Sequence, residues 1–379
     1  MRVTGTKGIY EDLGVRQVIN AMGSVTLLGG SMLAPKVLAA MEEANESFVD
    51  MAELLERSGR AIAEILGAEA ALVTSGCFAA LVQGAAAIMT GKDMGRIARL
   101  PDTAGLKNEF LIQTPTRYQY DRAVSVPGSR MVEVGDQRRT TIEQLEGAIG
   151  PRTAGILYPA RSEGTEGVLS IPEVVHIAEK RGVAVLIDAA AEVYPLERMT
   201  WLAGKSGADV VCFGAKYLGS ANSTGFMCGR KDMVEAASLN GFIAFETHDT
   251  HAFGRGFKVD RQEIVATVVA VREWFAMDHK ARFAVQERRI ETIARALAGV
   301  PDVTTERIWQ RQGAWLQLRV SFGGSRSGKT AASVHDALKD GDPSIKVRLE
   351  GDQILLAVHN LKDGEDAIVA EALRRALSR

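Results

Sequence analysis

Cysteine is scarce in this chain: Cys77, Cys212 and Cys228 are the three thiols among 379 residues. They form no CxxC pair and no metal-ligand spacing with the six histidines, so neither a zinc module nor a disulfide scaffold is expected, and no bound metal. An odd set of thiols in apolar surroundings reads as reduced and points to the cytoplasm. Excess charge of one sign is lacking too, with 45 Lys and Arg against 47 Asp and Glu. A dedicated nucleic-acid binder usually carries a basic face, and this balance offers none. No stretch reaches the roughly 18 uncharged apolar residues that a spanning helix needs. The start, "MRVTGTKGIYEDLGVRQ", lacks the apolar core of a signal peptide. The expectation is a soluble cytoplasmic protein that binds neither nucleic acid nor membrane. Its 46% of hydrophobic residues suffices for one large core and a smaller second one.

What is present is an alternation of short apolar runs with helical patterns. From Pro35, the residues Val37, Met41, Ala44, Phe48, Met51 and Leu55 recur at steps of four and three, which is helical spacing. "AALVT" (70–74) reads as a strand and "CFAALVQGAAAIM" (77–89) as a helix packed on nearly all sides, joined by Thr74-Ser75-Gly76. "GILYPA" (155–160), "VAVLID" (183–188) and "DVVCFG" (209–214) are further strands, separated by helical segments. Uniformly apolar strands alternating with helices predict an α/β fold with a mostly parallel central sheet covered on both faces. After "GRGFKVDRQ" (254–262) come one long helical region, about 262–298, and a small α+β part. The expected division is an N-terminal arm with helices over 1–60, a large α/β domain over 61–255, and the long helix with a small C-terminal domain over 256–379.

Two chemistries compete. "GGSRSGKT" contains G-x-x-x-x-G-K-T at Gly323–Thr330, the spacing of a phosphate-cradling loop. Only 49 residues follow it, too few for the parallel sheet and later acidic strand of a nucleotide hydrolase. A Gly/Ser loop ending in a helix N-cap is the better reading there. The second chemistry lies at three strand ends, where parallel sheets bind ligands. Ser75 and Gly76, at a helix N-terminus, offer backbone N–H groups and a hydroxyl to a phosphate. Asp188 follows a buried strand directly and is placed to hold a proton on a heterocyclic nitrogen. Lys216, in "GAKYLGSANSTG", stands one βαβ step later and can form an imine with an aldehyde. Phosphate cradle, ring-nitrogen acid and imine lysine in this order are what pyridoxal phosphate requires. The loop after Lys216 can lend Ser223 or Thr224 to a phosphate.

Five segments carry a likeness to a known family: "VINAMGSVTLLGGSMLAPKVLAAM", "GAEAALVTSGCFAAL", "LIDAAAEVYP", "GADVVCFGAKYLGSANSTGFMCGR" and "GRGFKVDRQEIVATVVAV". Together they resemble the selenocysteine-synthase-like family of fold-type-I pyridoxal phosphate enzymes, over about residues 10–275. The resemblance implies an aspartate-aminotransferase-like fold, pyridoxal 5'-phosphate on Lys216, and Asp188 under its pyridine nitrogen. It also implies phosphate contacts from Ser75, Gly76 and Cys77, and a homodimer or larger homo-oligomer. The family holds selenium transferases acting on seryl-tRNA and shorter relatives of the ammonia-lyase kind. This chain departs from the transferase pattern: the familiar block begins by residue 16, the lysine loop reads "GAKYLGSANSTG", and the charge is near neutral.

Around that centre, Arg161 follows "LYP" at another strand end and is positioned to meet a substrate carboxylate or phosphate. Tyr118 and Tyr120, in "TPTRYQYDRA", can stack on a cofactor or donate a phenolic hydroxyl, and Arg117 or Arg122 can meet an acidic substrate. Arg255 is a weaker candidate for the same role. His176 is expected to pack on the apolar side of its helix. His248 and His251 are expected on a rim loop rather than at a metal. The function expected is a lyase that abstracts Cα–H from a hydroxylated or acidic amino acid, eliminates a β-substituent and releases ammonia. Racemisation, transamination and selenium transfer share the first step and remain alternatives. Beyond them stand a non-catalytic cofactor-binding protein and a nucleotide binder at Lys329.

Overall fold

A computed structural model describes residues 8–247, 251–311, 313, 315–323 and 329–378. They divide into two compact units, Ser31–Met277 and the pair Met1–Gly30 with Asp278–Arg379.

A short strand of the second unit, β1 (Val18–Asn20), precedes the seven strands of the larger one. These are β2 (Ala70–Thr74), β3 (Glu109–Gln113), β4 (Arg130–Val134), β5 (Thr153–Pro159), β6 (Ala184–Asp188), β7 (Val210–Gly214) and β8 (Gly225–Gly229). They form one sheet in the order β2-β8-β7-β6-β5-β3-β4, in which β8 alone runs opposite to the other six. Strands β3, β5, β7 and β8 are buried along their whole length, the signature of a sheet covered on both faces. The Cys77–Thr90 helix is buried from Ala79 to Ala87 and again at Met89 and Thr90, as its all-round apolar sequence predicts. Gly84 lies where a Cβ would stand 3.0 Å from Leu186 Cδ1, so the missing side chain lets that helix lie close on β6.

The helical stripe that starts at Pro35 is two helices, Pro35–Asn45 and Met51–Leu66. Asp50 caps the second, accepting the Glu53 N–H at 2.9 Å, and Phe48, between the two, is 93% exposed rather than part of the stripe. The long helical region is likewise two helices, Arg261–Ala276 and His279–Leu297, with Asp278 capping the second through the Ala281 N–H at 3.0 Å.

These breaks move the division of the chain. The Arg261–Ala276 helix is tied to the larger unit by Trp274 Nε1 donating to Val193 O at 2.8 Å and by Arg261 Nε donating to Ala44 O at 3.0 Å. The boundary therefore falls after Met277 rather than near 255, and the helices from Pro35 onward belong to the larger unit rather than to a separate arm.

In the smaller unit, β9 (Val303–Gln310), β10 (Trp315–Phe322), β12 (Arg348–Glu350) and β13 (Gln353–Ala357) make an antiparallel sheet in the order β12-β13-β10-β9. The strand β11 (Ser344–Lys346) pairs in parallel with β1, which brings Val18–Asn20 into this unit. Helices His279–Leu297, Ala331–Asp340 and Glu365–Ser378 complete its core, with Ile290, Val334, Leu356 and Val369 fully buried. Thr330 caps the Ala331–Asp340 helix in a reciprocal pair with Ser333, as the N-cap reading of "GGSRSGKT" expects. Residues 324–328 of that stretch lie outside the described residues, as does His248.

Candidate active site at the carboxyl edge of the large sheet

Five elements end at one edge of the larger unit's sheet. The register pairs Pro159 with Asp188, Asp188 with Cys212, Gly214 with Gly225, and Gly225 with Thr74. The segments leaving β2, β5, β6 and β7, and the one entering β8, therefore share that edge. Further bonds lock the exits together: Ala189 N–H donates to Cys212 O and Gly214 N–H to Ala190 O, both at 2.9 Å.

The turn after β2 is tight. Gly76 N–H donates to Thr74 O at 2.8 Å, and Gly76 takes φ 90, a conformation that favours glycine. No side chain caps the Cys77–Thr90 helix, so its first N–H groups face this edge without a side-chain acceptor. A Cβ on Gly225 would stand 2.5 Å from Gly76 C and 2.6 Å from Cys77 N. That glycine lets β8 pass directly under the helix start. Ser75 Oγ donates to Phe257 O at 3.2 Å.

Asp188 is the centre of the polar contacts. Its Oδ1 accepts the Ala190 N–H at 3.0 Å and the Cys77 thiol at 3.6 Å, and its Oδ2 accepts the Tyr118 hydroxyl. Burial raises the Asp188 pKa above the ordinary carboxyl value, opposed by those donors and by the charge of Arg161. Burial first, and then Asp188, push both the Tyr118 phenol and the Cys77 thiol upward, so each stays protonated as a donor. The Arg161 guanidinium lies over the Tyr118 ring, 5.3 Å from its centroid.

Lys216 lies in the short turn Ala215–Leu218, which Gly219 ends in the left-handed region. Ala215 N–H donates to Thr224 O at 3.0 Å, closing the loop from 215 to 224 on itself. The half-buried ammonium has a pKa below the ordinary lysine value because of desolvation, with Cys77 opposing. Its Nζ stands 5.2 Å from the Tyr217 ring centroid.

The structure thus brings Ser75, Gly76, Cys77, Tyr118, Arg161, Asp188 and Lys216 to one edge, and it treats other candidates differently. Thr224 is buried, with its hydroxyl bonded to Ala221 O at 2.7 Å and Ser220 Oγ at 2.9 Å, so the loop itself takes it up. Ser223 is exposed and donates to Glu263. Tyr120 is 52% exposed and meets Tyr118 edge-on at 6.2 Å rather than Asp188. Arg117 is held by Asp121 at 2.5 Å and by Glu133, and Arg255 by Glu246 at 2.7 Å. His176 is exposed, lying between the buried pairs Val174–Val175 and Ile177–Ala178. His251 is also exposed, and among the described residues no cluster of His, Cys, Asp and Glu is suited to a metal. No described helix is long and apolar enough to cross a membrane. Sequence reasoning missed Glu263, whose signal was the D-x-x-E capping box opening the Arg261–Ala276 helix.

Residues 18–282 match the model of the SelA, L-seryl-tRNA selenium transferase, family. The chain belongs to that family. Over 97% of its length and 98% of the other's it is 30% identical to D-glucosaminate-6-phosphate ammonia lyase of Salmonella typhimurium. It is 32% identical to a 5'-C-glycyluridine monooxygenase-decarboxylase from a Streptomyces species, over 95% of this chain and 90% of that one. Among solved structures, a D-glucosaminate-6-phosphate ammonia-lyase superposes with a TM-score of 0.85 at 29% identity, covering 98% and 99% of the two chains. Sphingomonas wittichii serine palmitoyltransferase, at 13% identity and a TM-score of 0.59, covers 95% of this chain and 87% of its own, a likeness of fold alone. The fold is the fold-type-I, aspartate-aminotransferase-like arrangement that the family resemblance implies, built on the mostly parallel sheet expected from the strand–helix alternation.

Proposed function

We propose that this protein is a pyridoxal 5'-phosphate-dependent lyase of the ammonia-lyase type, acting on a hydroxylated or acidic amino acid. The observation that carries the reading is the convergence of Asp188 and Lys216 on adjacent strand exits beside an uncapped helix start, in a chain alike over nearly its full length to an ammonia lyase.

The residues fit the cofactor. A buried carboxylate suits a protonated ring nitrogen, the uncapped Cys77–Thr90 helix start suits a phosphate, and a half-buried lysine of depressed pKa suits an aldehyde. When bound, the cofactor supplies an aldehyde for the substrate amine and a ring that takes up the electrons left at Cα. Lys216 holds it and, once released, serves as the base at Cα; desolvation lowers its pKa below the ordinary lysine value, in the direction that favours the neutral amine. Asp188 fixes the proton on the ring nitrogen. Ser75, Gly76 and Cys77 meet the phosphate, while Thr224 holds the lysine loop closed. Arg161 meets the substrate's carboxylate or phosphate, with Tyr118 beneath it and Tyr120 at the rim. In the net reaction the Cα–H and Cβ–O bonds break, water leaves, and a water returned in hydrolysis frees ammonia and a keto acid.

The protein is read further as a cytoplasmic homo-oligomer. Leu38, Phe48 and Val49, exposed on the larger unit, are apolar surface that a second copy would cover. Light scattering of the purified protein tests this, and a monomer contradicts it.

A second reading rests on the 32% identity to a monooxygenase-decarboxylase: oxygen-dependent loss of carbon dioxide from a glycyl-bearing substrate. One screen separates the two. Hydroxylated and acidic amino acids, D-glucosaminate 6-phosphate among them, are incubated with the loaded protein in deuterated water. Ammonia and keto acid without oxygen uptake support the lyase. Oxygen uptake with carbon dioxide supports the second reading. Cα deuteration alone indicates a racemase, and no exchange with any substrate sinks both readings.

A further inference from the structure

The larger unit also holds a cluster of largely buried charged side chains. Arg198, on the Leu196–Gly204 helix, pairs with Glu163, and its Nε lies 3.7 Å from Glu192 Oε2. The three side chains are 18%, 17% and 2% exposed in the order Arg198, Glu163, Glu192. The guanidinium stands over the Trp201 ring, 5.0 Å from its centroid. Each carboxylate belongs to a segment that carries a site residue. Glu163 closes the Ala160–Ser162 turn, donating its N–H to Ala160 O at 3.2 Å and accepting the Ile171 N–H on Oε1 at 3.3 Å. Arg161 is the middle residue of that turn. Glu192 lies on the segment leaving β6 after Asp188, with its N–H donated to Ala189 O at 2.9 Å.

Burying ions in this way contributes little to stability compared with packed apolar residues of the same volume. What a guanidinium between two carboxylates does supply is an ion-pair tie between the segments that carry them, which a lysine's single ammonium does not span in the same way. We propose that Arg198 is a positioning residue for Arg161: by joining the β5 turn to the β6 exit it holds the Arg161 guanidinium over Tyr118, where the substrate's anionic group is received. This rests on the reading of Arg161 as the contact for that group. Arg198 itself touches neither substrate nor cofactor. Its effect is on affinity for the anion, through an arginine 37 positions away in the chain.

The test uses the pyridoxal-phosphate-loaded protein with D-glucosaminate 6-phosphate as probe, its dissociation constant read from the shift of the visible cofactor band. Arg198→Lys is expected to raise that constant about tenfold, while cofactor affinity stays within about twofold of wild type. Combined with Arg161→Ala, it is expected to add nothing. The double variant Arg198→Met with Glu192→Gln removes the cation together with a buried carboxylate, and keeps the question open to test if Arg198→Lys fails to fold; the same rise is expected. Probe binding as tight as wild type in these variants overturns the proposal. So do effects that add to Arg161→Ala, or an equal loss of cofactor affinity, which marks general loosening. A wild type that binds the probe no better than Arg161→Ala refutes the reading of Arg161 itself, and this inference with it.

Discussion

The Tyr118 hydroxyl donates to Asp188 Oδ2 while the Arg161 guanidinium covers the same tyrosine's ring. One aromatic side chain thereby links the carboxylate assigned to the cofactor nitrogen with the arginine assigned to the substrate. Burial already raises the Asp188 pKa, and the Tyr118 hydroxyl is the first of the groups that oppose it. Tyr118→Phe removes that opposition, so Asp188 takes up its proton at a higher pH. The acid limb of cofactor binding is expected to move to higher pH, with affinity at neutral pH weakened by about tenfold. Titrating pyridoxal phosphate into the variant at several pH values checks this, and an unshifted limb contradicts it.

Asp188 carries a cost to the protein without cofactor. Its folded pKa lies above the unfolded value of about 3.9, so the folded state holds the proton longer. Stability is then greatest below the unfolded value, falls as pH rises through the folded one, and stays reduced above it. Asp188→Asn removes the penalty. The cofactor-free variant is expected to melt about 2–4 °C higher than wild type at pH 7 while losing its affinity for pyridoxal phosphate. Thermal melts at pH 4 and pH 7 check the sign, with the gain confined to pH 7.

Gly225→Ala tests the close passage of β8 under the helix start. The added Cβ would meet Gly76 C, Cys77 N and Phe213 O at 2.5, 2.6 and 2.7 Å, all main-chain atoms with no side chain to swing aside. The strain is expected to cost about 1–3 kcal/mol and to displace the N–H groups assigned to the phosphate. A lower melting temperature accompanied by weaker pyridoxal phosphate binding is the expected pair of effects. An unchanged cofactor affinity removes the helix start from the phosphate site.

Legibility in the sequence followed periodicity. Lys216 and Asp188 were readable because each ends an apolar run, and a buried strand must release its first polar residue at the sheet edge. Tyr118's partner was not, because residues 114–125 leave β3 through short 3-10 turns whose pattern fixes no direction. Ser223 and Thr224 are chemically alike, and only the closure of the lysine loop separates an inward hydroxyl from an outward one. His176 falls between two buried pairs, where helical spacing alone places it on the wrong face. The boundary near 255 was misplaced because the Arg261–Ala276 helix is apolar on several sides, and nothing local says which unit covers it. The Arg198 cluster joins charges nearly thirty residues and more apart from Glu163, a relation no local pattern encodes.

In the smaller unit, His359 predicts an acid sensitivity. Its ring stacks on Trp315 at 4.3 Å and its Nε2 lies 3.1 Å from Ser24 Oγ. Burial, then the charges of Arg282 and Arg289, depress its pKa to about 3. The unfolded chain takes up this proton near pH 6.5, so the stability present above that pH is lost as pH falls toward 3. His359→Gln is expected to flatten the acid limb of unfolding over that window, by a few kcal/mol at its acid end. Denaturant melts from pH 7 to pH 4 measure it, and parallel wild-type and variant curves contradict it.

The central claim is that Lys216 holds pyridoxal phosphate. The most direct measurement is the visible absorption spectrum of the purified protein with added pyridoxal phosphate, before and after borohydride, beside Lys216→Ala, followed by peptide mass. A yellow wild type whose band bleaches, with the reduced cofactor's mass on the peptide carrying Lys216 and none on the variant, is the predicted result. A wild type that stays colourless, or a label on another lysine, would contradict it.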